Sequence, residues 1–144
     1  MIENEHNVVR LEYKVAWFFA AVVLFILIDA PWIYFVVLKQ YQAVWPAGIL
    51  AFKPLGGVFF YGIYITGLLY FSEFFHAFSG STEVVKKAFF YGICAYGTYA
   101  YTCYAVYDPY PLWLACSECL WGGVISSMVM GFFGWLKSYA LAMR

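Results

Sequence analysis

The chain has 144 residues, enough for one domain. Hydrophobic residues make up 65% and charged residues only 11%, where a soluble domain carries about a quarter charged, so most of this surface cannot face water. Acidic and basic side chains cancel and no basic run exceeds Lys86-Lys87, which leaves nucleic acid no electrostatic footing.

Residues 1–14 form a polar N-terminal tail with Glu3, Glu5 and Glu12 beside Arg10 and Lys14. The apolar run behind it is too long for a signal h-region and ends without a small-residue cleavage site, so it reads as a retained first span. That span, Val15–Leu38, is 24 residues with one charge, Asp29. At ~1.5 Å per residue it is long enough to cross with some tilt. Pro31 frees the carbonyl of Leu27 and predicts a kink.

Lys39–Pro54 is too polar and proline-broken to span; Trp45, Ile49, Leu50 and Phe52 predict an interfacial segment. Leu55–Phe78 is the second span, with Glu73 and His76 near its end. Ser79–Lys87 reads as a polar loop able to cap the next helix. Ala88–Tyr107 is an uncharged, tyrosine-rich third span and Asp108–Pro111 a rigid turn. Leu120–Leu136 is the fourth span, extended to about 118–138. The expected architecture is all-α: one integral membrane domain over 15–144, a bundle of four transmembrane helices with an interfacial segment between the first two.

Six Lys and Arg (Arg10, Lys14, Lys86, Lys87, Lys137, Arg144) fall on one side and two (Lys39, Lys53) on the other. This predicts both termini on the cytoplasmic or matrix-equivalent side, as in a bacterial plasma membrane or a mitochondrial inner membrane.

In lipid, helices associate by close packing and hydrogen bonds. Gly123, Ser127 and Gly131 repeat every four residues and form an expected packing stripe, with Gly122, Ser126 and Gly134 beside it and Gly92, Ala95 and Gly97 on the third span. Aromatics are 24% of the chain, and Trp17, Trp45, Trp113, Trp121 and Trp135 fall near span ends as an interfacial belt does.

Asp29 is the most informative residue, because a carboxylate deep in the bilayer is costly unless it faces the bundle interior with a partner or carries a proton. Depth counting offers Thr98, Tyr101 and Thr102 on the third span, with Ser126 and Ser127 on the fourth, as a ring of hydroxyls around it. Two readings stand: a proton- or ion-responsive site, or a polar clamp that fixes helix register. Glu73 and His76, three apart, read as a solvated helix end or a proton relay. Glu118 reads as an acid favoured by a helix N-terminus. Cys116 and Cys119 have redox spacing, but Leu120 replaces the His of a haem motif and no second ligand pair suggests zinc, leaving free thiols or a disulfide. Cys94 and Cys103 read as small hydrophobes. No phosphate loop, metalloprotease motif or nucleophile–His–acid set is present, so the chain is expected to be no enzyme and to hold no cofactor beyond bound lipid.

Asp29-Ala-Pro-Trp32, Phe60-Tyr61-Gly-Ile-Tyr64-Ile-Thr-Gly67, Gly92 through Tyr96-Gly-Thr98-Tyr99 and Thr102, Tyr110-Pro111 and Trp121-Gly122 occur in this order. Over about residues 20–136 the chain resembles domain-of-unknown-function family 2177, small membrane proteins. The resemblance implies four membrane helices and no established activity. The chain departs from that pattern at Ala100, where the family has an acid, at Cys103, where it has an amide, and at Glu118, where it has an aspartate. If the family does polar chemistry between its helices, these departures imply that this chain has lost part of the equipment. Two functions are expected in competition: a non-catalytic subunit packed among other subunits and lipid in a larger complex, for instance a respiratory or photosynthetic one, or a small proton- or ion-coupled transporter using Asp29.

Overall fold

Lipid offers backbone amides no partner, so an apolar chain satisfies them inside its own helices. The computed structural model describes residues 2–46, 53–75 and 81–142, and side chains within 11–46, 53–75 and 82–139. Among these residues the chain is helical with no strand: α1 (Ile2–Trp32), a π-helical turn (Ile33–Val37), α2 (Leu38–Val44), α3 (Pro54–Phe71), α4 (Ser81–Val106) and α5 (Leu112–Ala142). Three stretches are long and apolar enough to cross a membrane: Leu11–Val44, Pro54–Phe71 and Leu112–Tyr139. The 26-residue α4 has the length to join them, but its tyrosines and charged first turns make it less apolar. The fold is a helical membrane bundle.

Several boundaries differ from the sequence reading. The helix does not stop at Leu38; it passes Pro31, widens into the π turn and continues through the polar Lys39 and Gln40 to Val44. The helical turns of α2 are held because Tyr41, Val44 and Trp45 pack on a small core of Ala100, Cys103, Tyr110, Leu114 and Ala115. The rest of the expected interfacial segment, including Ile49, Leu50 and Phe52, lies outside the described residues. α3 ends at Phe71, seven residues early, and Glu73 turns the chain with φ 55°. His76 lies outside the described residues, so its pairing with Glu73 does too; Glu73 instead meets Lys87 at 2.6 Å. Thr82–Lys87, read as loop, already belongs to α4. α5 begins at Leu112, directly after Pro111, rather than near residue 118.

The helices are not equally engaged. α4 and α5 form an antiparallel hairpin with by far the closest association, while α1 and α3 lie against it more loosely. The hairpin seam is set by glycine. A methyl on Gly122 would stand 2.6 Å from the Gly92 carbonyl oxygen, and one on Gly92 would overlap the Gly122 carbonyl. Gly123 is less tightly packed, against side chains only, with the Phe89 ring and Ile93 at 2.8 and 2.9 Å from where its Cβ would be. Gly131 has room for a methyl, 3.5 Å from Val85, and the Ser127 hydroxyl has no partner among the described residues. The tightest crossing therefore runs through Gly92 and Gly122, on the track next to the Gly123–Ser127–Gly131 stripe.

The main core joins all four long helices through Phe25, Ile65, Leu68, Val84, Ile125, Val129 and Met130. At one end, Trp17 meets Phe74 and Phe133 edge to face, and Lys137 donates to the Phe74 carbonyl at 3.0 Å. Toward the opposite end the bundle is hollow.

Candidate functional site: an intramembrane cavity with two carboxylates

A cavity of about 450 Å³ lies between α1–α2 on one side and α3, α4 and α5 on the other. Its wall is mostly aromatic, with Asp29 from α1 and Glu118 from α5 as the acids. Both are buried, at 2% and 5% exposed. It reaches the bundle surface where Ile33, Phe60 and Tyr99 are exposed.

Asp29 is fixed by two donors. The Trp121 indole N–H reaches Oδ1 at 2.9 Å and the Tyr61 hydroxyl donates to Oδ2 at 3.1 Å. One helix turn further, the Trp32 ring stacks on Trp121 at 4.2 Å, and its own indole N–H has no partner among the described residues. The register of this segment follows from the chain: Asp29 and Trp32 are three apart and share a face, and the π turn after Pro31 carries Ile33 and Val37 onto the same wall.

Glu118 accepts a hydrogen bond from the Tyr41 hydroxyl at 2.6 Å. That phenol has one proton, so the Tyr99 hydroxyl 3.3 Å away donates to Tyr41. A chain of two phenols thus leads from the exposed ring of Tyr99 to the buried carboxylate. At the turn, outside the membrane-spanning segments, burial and the nearby Glu118 carboxylate push the Tyr110 phenol above its ordinary range. Below the cavity, Tyr64 donates to Ser126 at 2.6 Å, because Ser126 spends its proton on the Gly122 carbonyl at 2.7 Å.

This arrangement corrects the expected ring of hydroxyls. Thr98, Tyr101 and Thr102 stand at suitable depth but face outward. Thr98 and Thr102 bond carbonyls of their own helix, at 2.7 and 2.6 Å, and Tyr101 meets Cys116 Sγ at 3.5 Å. Ser126 is buried but belongs to Tyr64, and Ser127 finds no partner among the described residues. Trp121, read as a belt residue, is in fact a donor to Asp29. Glu118 is not at a helix N-terminus; it sits almost two turns into α5 and faces the same cavity as Asp29. The missed signal was Pro111, which cannot continue a helix before it and opens one after it.

All four cysteines are free, and among the described residues no three His, Cys, Asp or Glu side chains gather as a metal site. Cys119 lies 3.6 Å from the Ile93 carbonyl at the hairpin seam.

A family model described as "Predicted membrane protein (DUF2177)" matches residues 14–136. The chain belongs to this family. None of the curated proteins and none of the solved structures compared with it matches. The short motifs that carried the resemblance converge on the cavity: Asp29, Trp32, Phe60, Tyr64, Tyr96 and Trp121 line it, and Tyr61 binds Asp29. Of the three departures, Ala100 and Cys103 lie in the small core beneath α2. Glu118 places a carboxylate in the cavity wall.

Proposed function

We propose that the chain is a small membrane carrier in which Asp29 and Glu118 hold a cargo and exchange protons with it. The observation that supports this reading is that two buried carboxylates, from the first and last helices, share one cavity, with no Lys, Arg or His among the described residues of its wall. At this depth an unmatched charge is costly, so each acid is neutralised either by a proton or by a cation brought from outside. Swapping one for the other is the elementary step of proton-coupled transport. The wall is also divided between helices that associate tightly (α4 and α5) and ones that lean on them loosely (α1 and α2), which suits opening and closing. The six-to-two bias in Lys and Arg puts both termini on the cytoplasmic or matrix side in this proposal. On this reading the chain is no enzyme and needs no cofactor.

The test is flux in reconstituted vesicles under a pH gradient. The parent chain should move protons in exchange for its cargo, and Asp29→Asn or Glu118→Gln should lower that movement at least tenfold. No flux in the parent, or the same flux in both variants, removes the proposal.

The competing reading, a non-catalytic subunit of a larger membrane complex, is favoured by the broad aromatic exterior that includes Phe19, Phe59, Tyr70, Phe90 and Trp135. Protein or lipid could cover that exterior equally well, and in a structural subunit the two acids would serve only as interhelical hydrogen-bond acceptors. Extraction in mild detergent decides: a companion on a native gel supports the subunit, and the chain running alone removes it.

A further inference from the structure

We infer that the ligand of this cavity is a small organic cation bearing apolar groups, of the alkyl- or aryl-ammonium class. The inference rests on the site proposed above and names what that site selects. Three features of the wall narrow the class.

The first is charge. Asp29 and Glu118 are the acid pair, and among the described residues no basic side chain lines the wall to match them. The lysines whose contacts are described are engaged elsewhere: Lys14 over the Phe75 ring, Lys87 with Glu73, and Lys137 on the Phe74 carbonyl. An anion would meet two acids and no partner. A neutral guest would leave both acids to be neutralised by protons alone.

The second is ring density. Trp32 and Trp121 stack, and the Tyr96 ring stands edge-on to both Phe60, at 6.1 Å, and Tyr64, at 5.5 Å. Aromatic faces attract alkylated ammonium groups through the ring quadrupole and bury their methyl groups at the same time. The third is size and donor set. Hard metal ions take six or more oxygens at short range, whereas this space of about 450 Å³ is walled mainly by carbon. It falls in the range of small-molecule sites, roughly 300–1,000 Å³. The exposed Ile33, Phe60 and Tyr99 at its mouth admit a guest with apolar groups from the side of the bundle.

The experiment uses the full chain in lipid nanodiscs and phenyltrimethylammonium, whose charge cannot be lost by deprotonation. Its neutral isostere, tert-butylbenzene, has carbon in place of the nitrogen. Calorimetry against empty nanodiscs should show saturable binding of the cation. Glu118→Gln should weaken it at least tenfold, with helix content and elution volume unchanged. Phe60→Ala, at a ring already exposed at the mouth, should weaken it about threefold and keeps the test alive if Glu118→Gln fails to fold. Excess tert-butylbenzene should not displace the cation. Absence of saturable cation binding, displacement by the isostere at equal concentration, or indifference of the binding to the substitutions overturns the inference. Cation binding without flux in vesicles leaves this inference standing and removes the carrier reading. Flux blocked by the isostere but not by the cation does the reverse.

Discussion

The hairpin seam and the cavity wall are built by opposite means from the same helices. At the seam, Gly92 and Gly122 bring two backbones into contact and leave no space for an added atom. At the cavity, a few Å away along α5, Trp121 and Glu118 turn toward α1 and α2 and hold them through direct hydrogen bonds in the cavity wall. Lipid provides no hydrophobic force between helices, so association rests on contact area or on polar bonds. The seam uses the first and the cavity wall the second. The seam should therefore fail when volume is added, and the wall when an acceptor is removed.

The largest effect is expected at the seam. Gly92→Leu forces the hairpin apart and should cost more than about 3 kcal/mol, beyond the usual range for overpacking. Reversible unfolding in mixed micelles would measure it. Gly57 supplies the control, since nothing lies within 4 Å of an added methyl there. Gly57→Ala should be neutral or stabilising by up to about 1 kcal/mol, from helix propensity alone. Equal losses at Gly92 and Gly57 would mean that the hairpin is not held by close contact.

Next comes the clamp on Asp29. Asp29→Leu strands the Trp121 N–H and the Tyr61 hydroxyl and should cost about 1–3 kcal/mol. A double-mutant cycle between Asp29→Leu and Trp121→Phe isolates their bond, with a coupling of roughly 1 kcal/mol expected from interhelical hydrogen bonds in membranes. A coupling near zero would separate α1 from α5 energetically and undo the contrast drawn above.

The fold was readable because apolar length and charge depletion are one-dimensional signals. Asp29 was readable for the same reason, as one acid inside an uncharged run. Its partners were not. Depth along a helix follows from residue number, but which face points inward depends on rotation, and each residue turns the helix by about 100°. Thr98 and Thr102 had the right height and the wrong azimuth, so their hydroxyls turned back onto their own helix. Glu118 was misplaced by a boundary: starting α5 near residue 118 puts it at an exposed end, whereas starting at Leu112 buries it. Polar Lys39 and Gln40 place Tyr41 in an interfacial segment by sequence, yet packing on the small core together with the bond to Glu118 keeps those turns helical.

That dependence can be tested on its own. Tyr41→Phe removes the bond to Glu118 while keeping the ring against Tyr110, and should cost about 1 kcal/mol. Amide exchange through Leu38–Val44 should quicken while Val84–Ala100 stays protected. If exchange in α2 is unchanged, apolar packing of Val44 and Trp45 alone holds that segment, and the cavity wall is less dependent on polar bonds than proposed.

The smallest effect is expected where geometry looks best. Lys87 and Glu73 meet at 2.6 Å, shorter than either bond to Asp29, yet their side chains are 32% and 45% exposed. Water and salt screen such a pair, and ordering two long side chains offsets much of the attraction, so Lys87→Met should cost under about 1 kcal/mol. The loss should shrink further as ionic strength rises, whereas the Asp29–Trp121 coupling, buried and carried by a neutral donor, should not change with salt. A salt-independent loss above that bound at Lys87 would show that this end of the bundle is held by a buried polar contact too, and the division between a packed seam and a bonded wall would no longer describe the whole molecule.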